Sequence, residues 1–199
     1  MVNINPIKLT GNWVEGYALD IHTISSEFLG HDEFGHEVFD TKRSEMGELL
    51  YRLKYQSDKS PLKEILSVIE KFVNTEWKIA KILDGIVPVP PSRGRVFQPV
   101  LEVAKGISVL LHIPLYEGYL VKVKETPELK NVFDYQKRME SLNNAFIAEN
   151  PSLKGKNVLV FDDLYRSGAT CNAITRVLYQ SGNVSKVYVL ALTKTRSMS

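Results

Sequence analysis

Asn157 to Leu178 reads NVLVFDDLYRSGATCNAITRVL. Val158 to Phe161 form a continuous apolar run, the pattern of a strand buried on both faces of a parallel sheet. Asp162 and Asp163 follow at once. Leu164 to Thr170 then make a short loop in which Gly168 can take a positive φ or let the backbone approach a ligand closely. A helix is predicted beyond it, with Ala173, Ile174, Val177 and Leu178 at helical spacing and Gln180 to Asn183 as the stop.

A strand that ends in acids and turns through small residues into a helix has a definite chemical use. The unpaired amides of the helix start, the positive end of its dipole and the hydroxyls of Ser167 and Thr170 can cradle a phosphate. The acids cannot bind that phosphate directly. Carboxylates suit polyol hydroxyls or a metal ion, so the stretch asks for a phosphate beside a diol, a sugar phosphate. Neither a Gly-rich loop ending in Lys-Ser/Thr nor a G-x-G-x-x-G after a strand is present. Neighbouring residues of an extended strand point to opposite sides, so both acids face one ligand only if the chain starts turning at Asp163.

VLVFDDLYRSGAT resembles the motif by which type I phosphoribosyltransferases bind 5-phosphoribosyl 1-pyrophosphate (PRPP): a buried strand, two acids, and a small-residue loop ending in Gly-small-Thr. The resemblance implies that Asp162 and Asp163 hold the ribose hydroxyls and are the catalytic pair, orienting the ribose and favouring the positive charge that develops on it. It implies that Arg166, Ser167, Gly168, Ala169 and Thr170 line the 5′-phosphate pocket. Arg166 stands where that family has a small hydroxyl residue. It can add a charge-assisted contact to the phosphate or point away from it.

The 199 residues are 44% hydrophobic and 24% charged, enough to bury a full core as one domain or one domain plus a lobe. A net charge of +2 is too small to argue for nucleic acid by itself. Cys171 is the single cysteine, which excludes intrachain disulfides and cysteine-rich zinc modules and fits a reducing cytosol; it reads as a small buried residue rather than a nucleophile. With no signal peptide or membrane span visible, a cytoplasmic protein is expected.

From the N-terminus, Trp13 to Ile24 alternate loosely between apolar and polar residues, and His36 to Phe39 do so again after an acidic, Gly-containing connection, which predicts an antiparallel hairpin. His31, Asp32, Glu33, His36 and Glu37 are metal-ligating types, but their spacing matches no compact site and solvated turn residues are expected. Met46, Leu49, Leu50 and Leu53 predict a helix over Arg43 to Tyr55. A second helix is predicted after Ser60 as N-cap and Pro61 at its first position, with Ile65, Leu66, Ile69, Phe72 and Val73 as its apolar stripe.

Gly85 to Val89 is a short β-branched run closed by Pro-Pro, followed by Ser92, Arg93, Gly94 and Arg95 and then a helical pattern through Val100, Val103, Ala104 and Ile107. A strand ending in a doubly basic, Gly-containing loop suits a diphosphate. IVPVPPSRGR resembles the pyrophosphate loop of the same superfamily, most closely its ComF-like branch, with Leu53, Lys54, Tyr55 and Asn144, Ala145, Phe146 matching two further elements of that branch. The match runs from Met46 to Lys194. The branch's four-cysteine zinc ribbon has no counterpart, its place being taken by the predicted hairpin, and the basic stretch before Asn144 is reduced to Lys137, Arg138 and Glu140. Gly118 to Val123 predicts a strand and Val187 to Leu192 another. Between the two loops the family carries a lid, from which Lys122, Lys124, Lys130, Lys137 and Arg138 could reach a diphosphate.

The expected fold is therefore α/β: a type I phosphoribosyltransferase-like parallel sheet flanked by helices, over residues 61–199, with a smaller hairpin and helical lobe, or hood, over residues 1–60. The resemblance implies transfer of a 5-phosphoribosyl group from PRPP, with Mg²⁺ held mostly by water and substrate rather than by a protein cage, to an unidentified nitrogen nucleophile, releasing pyrophosphate. A homodimer is an expectation of the same kind. Two alternatives stay open: a PRPP-sensing regulator without turnover, and a competence-type accessory protein that contacts single-stranded DNA or a helicase.

Overall fold

The computed structural model describes residues 2–56, 58–91, 97–123, 142, 144–148 and 152–196. Among these, the main sheet runs in the order β1 (Ile7–Lys8), β2 (Glu15–Ile21), β9 (Lys186–Lys194), β8 (Asn157–Tyr165) and β5 (Gly85–Pro88). β2, β9, β8 and β5 are parallel, and β1 lies antiparallel at one edge. Val158 to Phe161 and Val189 to Leu192 are completely buried. Strands this apolar need cover on both faces.

Different elements supply that cover. On one face lie α1 (Glu45–Tyr55), α2 (Pro61–Lys71) and α3 (Pro99–Leu111), whose Leu50, Ile65, Ile69 and Ile107 join Leu159, Phe161 and Leu190 in one core. On the other lie α4 (Ala169–Gln180) and a ribbon of β6 (Leu120–Lys122) with β7 (Phe146–Ala148), whose Ile174, Leu178, Leu120 and Phe146 join Val158, Val160 and Val189. The result is an α/β fold with a parallel sheet flanked by helices, as expected. No helix among the described residues is long and apolar enough to cross a membrane.

The helix starts follow the sequence with one difference. Ser44 caps α1, its Oγ accepting the Gly47 amide at 3.0 Å, and Glu45 and Glu48 complement the dipole in the first turn. Ser60 precedes α2 but is itself helical and makes no capping bond; its hydroxyl accepts from Arg52 Nη2 at 3.0 Å instead.

The N-terminal segment corrects the expected hairpin. Glu15–Ile21 is a strand of the main sheet, with Gly16 opposite Val189 and Ala18 opposite Ala191 on β9, and Ala18 and Leu19 are fully buried. The hairpin pairs β3 (Thr23–His31) with β4 (Glu37–Arg43) and stands largely in solvent. A loose alternation of apolar and polar residues fits a half-covered strand of either kind, and here β9 offers the better partner. The sheet and its helical cover therefore draw on both sides of residue 60, since Leu19 of β2 and Leu50 of α1 share a core with α2 and α3.

All four parallel strands end at one edge, at Ile21, Lys194, Tyr165 and Pro88. In open α/β sheets ligands bind outside these carboxyl ends.

Candidate functional site

β8 ends at Tyr165 and α4 begins at Ala169, slightly earlier than the apolar spacing alone suggests. Gly168 stands between them with φ 78°, in the left-handed region. Two constraints converge there. An L side chain in that conformation costs roughly 1–2 kcal/mol, and a Cβ on Gly168 would lie 2.2 Å from the Tyr165 hydroxyl oxygen. With glycine at the cap, no side chain caps α4, so its first-turn amides and dipole are left to whatever occupies the loop.

That space is a cavity of about 60 Å³. At 10–15 Å³ per water it has room for about four waters or one tetrahedral oxyanion. Arg166, Ser167, Gly168, Ala169 and Thr170 all line it, together with Asp162. The sequence-predicted phosphate loop is thus a single concave surface around a helix N-terminus. Cys171 is buried and faces the same region; burial holds its thiol well above the ordinary value and the Asp162 charge adds to this, which suits packing and not nucleophilic attack.

The two acids part company. β8 stays extended through Tyr165, paired with β9 at Asp162 opposite Ala191, Leu164 opposite Thr193 and Tyr165 opposite Lys194. Asp162 shares the face of Val158 and Val160 and lines the cavity, its Oδ1 accepting the Asp163 amide at 2.8 Å. Burial pushes its carboxyl up to about 7, the Asp163 charge pushes the same way, and Lys54 and the Asp163 and Leu164 amides oppose them. Asp163 shares the face of Leu159 and Phe161 and meets α1, where Lys54 Nζ lies 2.7 Å from its Oδ2. These two side chains are only 19% and 10% exposed. The turn at Asp163 that would bring both acids to one ligand is not made.

Three residues of the site carry no clear sequence signal of their role. Lys54 lies 109 residues from its partner. His22, just past β2, sets Nδ1 3.1 Å from the Thr193 hydroxyl of β9. Tyr165 supports Gly168 from below. Leu53-Lys54-Tyr55 stands out in sequence as a matched element, but nothing local says that Lys54 reaches β8. Of the matched Asn144, Ala145 and Phe146, the first turns with φ 57° and the other two are buried in the core under α4.

Lys122 lies on β6 opposite Phe146, outside the residues that line the cavity. Ser92, Arg93, Gly94 and Arg95, and Lys124, Lys130, Lys137 and Arg138, fall outside the described residues. Among the described residues no cluster of three or more His, Cys, Asp or Glu side chains could hold a metal ion, the His31 to Glu37 turn included.

No protein-family model matches the chain, and no curated protein matches it. Solved structures do. Orotate phosphoribosyltransferase from Aeropyrum pernix is 18% identical with a TM-score of 0.47, over 87% of this chain and 76% of that one. Glutamine PRPP amidotransferase from B. subtilis is 18% identical with a TM-score of 0.49, over 81% of this chain and 34% of that one. UMP synthase from Leishmania donovani is 16% identical with a TM-score of 0.42, over 85% and 28%. The chain thus spans about a third or less of the last two. These are partial likenesses of chain path, and they assign this chain neither a substrate nor an activity.

Proposed function

We propose that this protein binds PRPP and transfers its 5-phosphoribosyl group to a nitrogen nucleophile, as a member of the type I phosphoribosyltransferase superfamily. The observation that carries this is the juxtaposition at the end of β8: an uncapped α4 N-terminus turning on Gly168, beside Asp162 in the same cavity. The amides suit the 5′-phosphate. The Asp162 carboxyl, which lines the same space, suits the ribose hydroxyls that stand next to the phosphate in a phosphoribosyl group. The resemblance of Val158 to Thr170 to the PRPP motif supports the same ligand.

Displacement of pyrophosphate builds positive charge on the ribose ring, which positioning and nearby negative charge stabilise. Asp162 is the carboxylate placed to do so. Mg²⁺ fits this donor set only as an ion held by water and by the diphosphate, since Asp163 is taken up by Lys54 and Asp162 offers a single carboxyl. When bound that way, the ion neutralises charge on the leaving diphosphate.

The Lys54–Asp163 ion pair supports a second reading, in which the pocket binds PRPP as a signal and turns nothing over, because one of the paired acids faces away from the cavity. Calorimetric titration with PRPP, with and without Mg²⁺, tests the shared premise. Magnesium-dependent binding that Asp162→Asn weakens by about tenfold, on the order of 1.4 kcal/mol, is the expected result. Absence of PRPP binding sinks both readings, and pyrophosphate release in the presence of candidate nucleobases separates the enzyme from the sensor.

A further inference from the structure

α1 brings one cation to the end of β8. Lys54 Nζ lies 2.7 Å from Asp163 Oδ2, and neither side chain is more than 19% exposed. A lysine in the last turn of a helix ordinarily complements the dipole from solvent; this one reaches a different element. The helix is fixed at its start as well. The Ser44 hydroxyl that accepts the Gly47 amide also donates to Ile21 O at the end of β2, and Arg43, just before it, lies over the Tyr51 ring. Lys54 is therefore presented to β8 by a helix anchored at both ends.

What it meets there is the neighbour of the cavity acid. Asp162 and Asp163 are consecutive, with Cα atoms about 3.8 Å apart, and the Asp163 amide donates to Asp162 Oδ1 at 2.8 Å. Side chains on opposite faces of the strand do not share a ligand, but their charges still act on each other where little water screens them. Burial and then the Asp163 charge raise the Asp162 carboxyl, and Lys54 is the largest influence against them. The other ionisable groups around Asp162 among the described residues are Tyr165, Arg166 and Cys171, which line the cavity with it; β9 places the uncharged Ala191 opposite. A cation on Asp163 thus governs how readily Asp162 loses its proton.

We infer that Lys54 is a positioning residue for the cavity: paired with Asp163 on the far face of β8, it cancels that acid's charge and leaves Asp162 as the carboxylate presented to the ligand. The acid pair then works asymmetrically. Asp162 touches the ligand, and Asp163 acts through it, holding the cation that keeps Asp162 ionisable. For the ribose as that ligand the inference rests on the proposed function; the ionisation of Asp162 does not depend on it. An ion pair that served the fold alone would stabilise the protein and leave the Asp162 proton where it was.

Carbon NMR of the full chain with labelled aspartate carboxyls, Asp162 being assigned with Asp162→Asn, reads that proton without any ligand. His22 feels both Lys54 and Asp163, so the midpoint is taken at the Asp162 carbon itself. Lys54→Met should raise the midpoint by about one unit or more and Asp163→Asn should lower it by a similar amount. The double variant should return close to wild type, and Lys54→Arg should hold the wild-type value. Asp163→Asn and the double variant keep the test decisive if Lys54→Met does not fold, because neither leaves a buried carboxylate without its partner. An Asp162 midpoint that stays put in Asp163→Asn, or that differs between the double variant and wild type by as much as the single changes predict, overturns the inference. PRPP calorimetry on the same samples separates it from the proposed function. A one-unit rise in the midpoint takes the charged fraction near pH 7 from about a half to about a tenth, so Lys54→Met should bind PRPP about fivefold more weakly there. PRPP binding with immobile midpoints removes the role of Lys54 alone, and shifting midpoints without PRPP binding remove the proposed function alone.

Discussion

Asp162 is asked to be neutral for the fold and charged for the ligand. Burial first, and the Asp163 charge second, raise its pKa to about 7 from an ordinary 3.8. A carboxyl whose folded pKa is raised stabilises the protein in its protonated form. That contribution is complete below 3.8 and is lost as pH rises through about 7. The unligated protein should therefore lose stability between those values, measured as a falling urea midpoint, and Asp162→Asn should flatten the fall. Ribose hydroxyls donate more strongly to a carboxylate than to a carboxylic acid. PRPP affinity should accordingly rise with pH across about 7, with proton release visible as a buffer-dependent calorimetric heat. PRPP carries phosphates that titrate nearby, so the comparison is with Asp162→Asn; an identical pH slope in that variant would remove Asp162 from the ribose. At Gly168 the constraint is steric. Gly168→Ala must hold φ 78° with a Cβ 2.2 Å from the Tyr165 hydroxyl, and should cost at least about 1–2 kcal/mol in denaturant titration while abolishing phosphate binding at the loop. Unchanged stability would mean that the loop relaxes freely and is no rigid cradle.

Between elements, the decisive pairing is β8 with β9, because it extends two residues past the acids and so fixes them on opposite faces. The apolar runs Val158 to Phe161 and Val187 to Leu192 announce these strands and the helix between them, so the β8–α4–β9 unit and the phosphate loop are legible in the sequence. The length of the pairing is not, since nothing local distinguishes an acid at a strand end from one still inside the ladder. Loose alternation likewise left Trp13 to Ile24 free to be read as a hairpin arm, although β2 belongs to the main sheet. The Lys54–Asp163 contact is illegible for a different reason: it is made by a helix whose position over β8 follows from the whole core. Its energetics are testable. Lys54→Met leaves a carboxylate 10% exposed without its partner, which should cost roughly 2–4 kcal/mol. Adding Asp163→Asn should recover most of the loss. A double variant as unstable as the single one would show that Lys54 matters through its alkyl stem and not its charge.

Across the molecule, stability should be distributed as unevenly as burial. The centre of the main sheet is sealed between two cores, and the strands β8 and β9 are buried over most of their length. The β3–β4 hairpin has neither cover. Phe28, Leu29, Phe34 and Phe39 are 53%, 66%, 76% and 47% exposed; the outer ribbon is held by its own ladder and the Phe28–Phe39 ring pair, and its base is tied to the body by Arg43, which lies over Tyr51 and 3.5 Å from Glu48, and by a bond from Arg196 Nη1 to Ile24 O at 2.7 Å. A two-stranded ribbon of this kind is marginal in water on its own. Native-state hydrogen exchange should therefore find the amides of Phe28 to Phe39 opening at a small fraction of the global free energy, while Val160 and Leu190 exchange only through global unfolding. PRPP gives a second comparison, because the α4 cradle belongs to the sealed body and the hairpin does not. Ligand should slow exchange at β8, β9 and α4 by mass action and leave the outer half of the hairpin unaffected. Protection of Phe28 to Phe39 equal to that of Val160 in the unligated protein would overturn this division and show that the ribbon is covered in solution.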